Sequence, residues 1–136
     1  MNRDRLGPDD GQATAFTVVM VAAFVFCLGL VYDGGGLLRA HTQAIALAQE
    51  AARVGTRQLD WAAYRAGTDT VRLDPAAAAA AAQTFLSQSG GSGTVTVDGD
   101  TVTVTSRMSY DFVLLPLGST TVESTASARP YTRPAP

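Results

Sequence analysis

Residue types that support catalysis are scarce in this chain and poorly placed. Its 136 residues include one histidine, His41, and one cysteine, Cys27. A single cysteine excludes an intrachain disulfide and any multi-cysteine metal site. Position i+4 from His41 is Ile45, so the helical spacing for a metal pair is missing. Serines are plentiful, yet there is no Gly-x-Ser-x-Gly elbow and no histidine beyond His41 to serve as a base. The expected reading is a non-enzyme with no catalytic residues, no metal and no cofactor. Net charge is −2, and the ten basic residues, all arginine, are scattered among twelve acids, which is no nucleic-acid footprint. Abundant Ala, Gly and Arg without Lys points to a GC-rich bacterial gene.

What stands out instead is an apolar run. Residues 13–32 (ATAFTVVMVAAFVFCLGLVY) carry no charge. As a helix, twenty residues cover about 30 Å, the thickness of a bilayer's hydrocarbon core. Asp9-Asp10-Gly11 precedes the run, Asp33-Gly34-Gly35-Gly36 follows it, and Tyr32 suits the interface. A cleaved signal has a shorter apolar core, of about 7–15 residues, and ends in a small-x-small site; Tyr32-Asp33 is a poor cleavage sequence. The remaining chain is too small to bury such a helix. The run therefore reads as a single membrane span with Cys27 as an apolar filler. Arg3 and Arg5 precede it and only Arg39 follows closely, which favours a cytoplasmic N-terminus. The expected division is a cytoplasmic leader over 1–12, a transmembrane helix over 13–32, and an extracytoplasmic stalk and domain over 33–136.

The elements after the span follow from periodicity. Residues 37–59 read as an amphipathic stalk, with Leu37, Leu38, His41, Ile45, Ala48, Ala52 and Gly55 or Leu59 on one face. The three glycines at 34–36 predict a bend, a loosening or tight packing where the stalk leaves the membrane. His41 lies on the stalk near the membrane surface, and Leu59, Trp61 and Tyr64 are expected to pack the stalk onto the domain. Asp74-Pro75 starts a further helix through residue 88, which the Gly/Ser stretch at 89–93 ends. Residues 94–105 alternate with period two and read as a hairpin. Pairing Val97 with Val102 and Val95 with Val104 makes Gly99-Asp100 the turn, with Gly first as a type II′ turn prefers, or leaves a four-residue loop from Asp98 to Thr101 in the same register. The alternation continues through Met108, Tyr110, Phe112 and Leu114, with a bulge or bend expected at Ser106-Arg107. Pro116 and Gly118 interrupt it, residues 121–128 form a last strand, and the proline-rich tail is irregular. The fold class is α+β: a transmembrane helix continuing into a stalk, a second short helix, and a small antiparallel sheet of three or four strands. The sheet's apolar face is to be covered by the upper stalk and the 75–88 helix.

This layout is that of pilin-like proteins. The segment Asp10-Gly-Gln-Ala-Thr-Ala-Phe-Thr-Val-Val-Met-Val resembles the N-termini of TadE/TadG-type proteins, pseudopilin-like components of the tight-adherence (Flp-type) pilus machinery. Leu30-Val-Tyr-Asp-Gly-Gly is similar to the Asp-Gly step that closes the span in TadG-like members, here Asp33-Gly34. The stretch Ala44-Ile-Ala-Leu-Ala-Gln-Glu-Ala-Ala-Arg-Val-Gly resembles the stalk of TadE-like members. The resemblance implies a single-pass protein of the bacterial cell membrane, inserted with its N-terminus inside, that takes part in pilus assembly or export. The implied partners are the lipid bilayer, other pilus-assembly membrane proteins or pseudopilins, and prepilin peptidase, whose cut would fall between Gly11 and Gln12. Phe16 stands where pilins carry a glutamate five residues after that cut, which argues against polymerisation. A membrane-tethered cell-surface binding module, unrelated to pili, is the alternative.

Overall fold

No proline stands between Pro8 and Pro75, so nothing forces a helix begun near residue 9 to stop before the mid-fifties. The computed structural model describes residues 9–67 and 72–131. Arg3, Arg5, the middle of the 67–74 loop and the end of the tail lie outside them. Within them, helix α1 runs unbroken over Asp9–Thr56, 48 residues, or about 72 Å at 1.5 Å per residue. The expected span and stalk are thus one helix. The triple glycine does not interrupt it, and the expected tight packing is observed at Gly36, where a Cβ would meet the Tyr110 ring.

A short helix α2 (Trp61–Arg65) follows, capped by the Asp60 carboxylate, which accepts from Ala62 and Ala63 at 3.0 Å each. Leu59 and Leu73 form an isolated antiparallel bridge across the connection. Helix α3 (Pro75–Gln88) begins as its sequence predicts, with Asp74 accepting from Ala76 and Ala77 and Pro75 at the first turn.

Three strands complete the fold: β1 (Ser92–Asp98), β2 (Thr101–Asp111) and β3 (Ser119–Ala128), antiparallel in the order β1-β2-β3. The hairpin register is the Val–Val one, Val95 opposite Val104 and Val97 opposite Val102. Gly99 takes φ +54°, and no non-glycine residue among those described has positive φ, the pattern a type II′ turn needs. Strand β2 passes through Ser106-Arg107 without the expected bulge, because both residues pair on both sides, with Gly93 and Ser92 and with Ser124 and Glu123.

One face of the sheet rests on α1 and α3. The core comprises Ala51, Ala52, Leu73, Ala78, Ala82, Leu86, Val102 and Val104, with Leu47, Phe85, Val95, Val97 and Ala128 packed around it. The helix meets the sheet through small residues: Ala40, Ala44, Ala48, Ala51 and Ala52 are buried. At Gly55 a Cβ would come within 2.9 Å of Val102 Cγ1, so the backbones approach closely there. This alanine face is rotated from the expected one. Leu38 is 66% exposed and His41 is exposed, because the bulkier stripe cannot come as near to β2. Ser106, buried in the middle of β2, donates its hydroxyl to the Ala44 carbonyl at 2.6 Å. Trp61 (60% exposed) and Tyr64 (54%) do not pack the stalk onto the domain; they meet each other edge to face on the surface of α2. The polar face of the sheet carries Thr103–Ser127 and Thr105–Thr125 hydroxyl pairs and an Arg107–Glu123 ion pair.

Candidate functional site

The apolar half of α1 is almost bare. Its most apolar stretch is long and hydrophobic enough to cross a membrane, with a mean hydropathy of 2.5 and 6% of its residues buried. Among described residues 11–32, Gly29 alone is buried. What covers it is the β2–β3 loop, Phe112-Val113-Leu114-Leu115-Pro116-Leu117-Gly118. A Cβ at Gly29 would sit 3.4 Å from both Leu114 Cβ and Leu115 Cδ2, so the loop lies directly on the helix backbone. One turn further on, Asp33 fixes the loop in place.

Asp33 is fully buried. Oδ1 accepts the Val113 N–H at 3.0 Å, and Oδ2 accepts those of Leu114 and Leu115 at 3.0 and 2.7 Å. The Tyr110 hydroxyl donates to Oδ1 at 3.4 Å. Three successive amides thus converge on one carboxylate, as a helix N-cap does but between distant segments. Burial pushes the Asp33 carboxyl up, but the backbone donors and Tyr110 pull it down further, and it ends below the ordinary aspartate value. The Tyr110 hydroxyl moves the other way, raised by burial and by the negative charge of Asp33.

Tyr110 lies over Gly36. A Cβ there would meet the phenol ring at 2.6 Å (Cζ) and 2.7 Å (Cε2). Phe112 packs against Tyr110 edge to face at 5.4 Å. The helix therefore interlocks with the loop and the end of β2 at three levels: Gly29 under Leu114 and Leu115, Asp33 under the loop amides, and Gly36 under Tyr110 of β2.

Of the residues singled out from sequence, Asp33 is in this cluster, while Gly34 beside it is exposed with nothing within 4 Å of a Cβ position. Gly11 and Gln12 lie in the first turns of α1, exposed. Phe16 is 66% exposed, and Cys27 is exposed on the apolar half. Gly36 was read only as one of three glycines where tight packing could occur, Tyr110 and Leu114 only as members of a strand alternation, and Val113 and Leu115 carried no expectation. The one sequence signal for the loop itself is the apolar run at 112–117, where a strand connection is ordinarily polar. Among the described residues no three His, Cys, Asp or Glu side chains come together as a metal site would require.

These features define a class: an α+β protein whose sheet is carried on the far half of one long helix, the near half of which fits a single-pass membrane anchor. Residues 11–67 match the family model described as Tad, putative Flp pilus-assembly TadE/G-like. The match bears out the resemblance read from the sequence and supports a role tied to Flp/Tad-type pili. It covers α1 from Gly11 onward and α2, including Asp33 and Gly36, and stops short of the sheet. No curated protein and no solved structure matches the chain.

Proposed function

We propose that the protein is a non-catalytic, membrane-anchored component of a Flp/Tad-type pilus assembly or secretion apparatus, of the minor pseudopilin kind. The observation that carries this reading is the family match over residues 11–67, which takes in the unpartnered apolar helix. In this arrangement residues 13–32 cross the bilayer, the leader is cytoplasmic and the sheet lies outside. Small residues on the span, Ala15, Ala22 and Ala23, suit close packing against helices of other assembly proteins. Prepilin peptidase acts between Gly11 and Gln12, and Phe16 in place of glutamate leaves the subunit outside the polymerising filament.

Deleting the gene in its host and counting surface pili tests the reading, together with photo-crosslinking from Phe16 and Val19. Loss of pili, with crosslinks to pilus-assembly membrane proteins, is the expected result. Full piliation with no such crosslink rejects it. Mass spectrometry of the N-terminus reads the processing step: a chain starting at Gln12 is expected, and an intact Met1 start rejects processing.

One observation favours the second reading, a tethered surface-binding module. Trp61 and Tyr64 stand exposed beyond the far end of α1, beside a shallow hollow lined by Leu59, Asp60 and Arg72. If binding there is the function, Trp61→Ala with Tyr64→Ala abolishes surface attachment and leaves pilus number unchanged.

A further inference from the structure

We propose that the β2–β3 loop, residues 112–118, is a second membrane contact of this protein, inserted among the acyl chains of the outer leaflet beside the helix. The proposal rests on the anchoring of residues 13–32 argued above.

Four observations lead to it. The first is composition: Phe112 to Leu117 has no polar or charged side chain, and Val113, Leu114 and Leu117 are 69%, 56% and 64% exposed. Such a patch is costly in water.

The second is depth. The loop packs on Gly29, four residues before Asp33 and so about 6 Å along the axis on the membrane side of it. That level lies within the uncharged run. The loop surface is therefore continuous with the helix surface that meets lipid, and the hollow between them is lined wholly by apolar residues, among them Ala22, Val25, Phe26 and Pro116.

The third observation concerns the backbone. Irregular chain is tolerated at membrane depth only where its amides find partners within the protein. The Phe112 N–H bonds to the Gly118 carbonyl at 2.9 Å and the Leu117 N–H to the Leu115 carbonyl at 2.8 Å. Those of Val113, Leu114 and Leu115 go to Asp33, and Pro116 has none. Every N–H from 112 to 117 is thereby satisfied without water.

The fourth is the flanks. The chain turns polar on leaving the apolar zone, through exposed Ser109 and Asp111 on one side and Ser119 on the other. Lipid is the occupant that matches a surface wholly apolar at the span's depth and polar immediately above it.

The test uses the full chain with Cys27→Ala, reconstituted in phosphatidylethanolamine–phosphatidylglycerol vesicles. Single cysteines replace Val113, Leu117, Val25 in the span, or Asp98 at the far hairpin turn, each labelled with an environment-sensitive fluorophore. Labels at Val113→Cys and Leu117→Cys are expected to shift to the blue, to lose quenching by aqueous iodide and to be quenched by nitroxides on the acyl chains, as Val25→Cys is. Asp98→Cys is expected to show the reverse. Iodide quenching at Val113→Cys and Leu117→Cys, with Val25→Cys still in lipid, overturns the insertion and leaves the anchor standing. Iodide quenching at Val25→Cys as well overturns the anchor and the insertion together. Loop labels shielded from both quenchers lie against another protein copy, which also overturns insertion into lipid.

Discussion

The carboxylate of Asp33 accepts the backbone N–H of Leu115 at 2.7 Å across 82 positions of chain. The same carboxylate holds the two amides before it, and the Tyr110 hydroxyl completes its shell. An aspartate in a helix at the rim of an apolar segment thus has a specific task. It gives the backbone N–H groups at the start of an apolar loop their acceptors.

Removing that acceptor releases the loop. Asp33→Ala leaves three adjacent amides without partners, the costly side of breaking a hydrogen bond. Asp33→Asn keeps one carbonyl oxygen and serves only part of the set. Amide hydrogen exchange is the measurement: protection at Val113, Leu114 and Leu115 falls strongly in the alanine variant and partly in the asparagine variant, while the amides of β2 between Val102 and Ser106 keep theirs. Unchanged protection at 113–115 in Asp33→Ala contradicts the clamp.

The clamp has a pH dependence of definite sign. The folded Asp33 carboxyl titrates below the ordinary aspartate value of 3.8. A depressed carboxyl stabilises the folded state fully above its unfolded pKa and loses that stabilisation as pH falls through the folded pKa. Loop protection is therefore expected to be flat from neutral pH down to about 5 and to fall only in strong acid. The Asp33→Asn variant shows no Asp33-dependent acid step. A loss of protection centred near pH 6 in the wild type contradicts this assignment.

The three glycines separate by position. At Gly34 and Gly35 nothing lies within 4 Å of a Cβ position, whereas at Gly36 the Tyr110 ring does. Gly34→Ala and Gly35→Ala are expected to stabilise the helix by up to about 1 kcal/mol each. Gly36→Ala gains the same helix propensity but forces Tyr110 off its seat, and the net change is destabilising. Thermal unfolding in detergent orders the three, and Gly36→Ala alone is expected to lower Tm.

The alanine face of α1 predicts a contrast of its own. Ala48 is fully buried, and Ala46 on the same helix is exposed. Ala48→Leu overpacks the contact and costs about 1–3 kcal/mol, while Ala46→Leu is close to neutral. Leu86→Ala empties the largest fully buried side chain of the core and costs about 2–5 kcal/mol. Chemical denaturation measures all three, and equal effects at Ala46 and Ala48 contradict the packing.

Much of the fold was legible in the sequence because its signals are local. The uncharged run, the Asp74-Pro75 cap and the Val–Val register each depend on residues within a few positions of one another. Two local rules misled. Apolar periodicity put Leu38 and His41 on the stalk's buried face, but the sheet selects the face whose side chains are small enough for close approach. The aromatics Trp61 and Tyr64 looked like packing groups, but the Asp60 cap starts a new short helix that carries them outward. The clamp itself was not legible as a clamp. Asp33 showed only as a charge ending an apolar run, since its partners lie 77 to 82 positions away. The apolar loop at 112–117 read as strand with an interruption. Nothing in its own sequence says which surface it rests on.

The helix that carries the sheet is continuous. Its 48 residues run without a break from the apolar half to the last turn beneath β2, and the sheet is held to it at Gly55 and again at Asp33. Such a part behaves as a shaft and not as a tether. Because one unbroken helix joins the two, turning the apolar half about its axis would also turn the compass bearing of the sheet's polar Thr and Ser face.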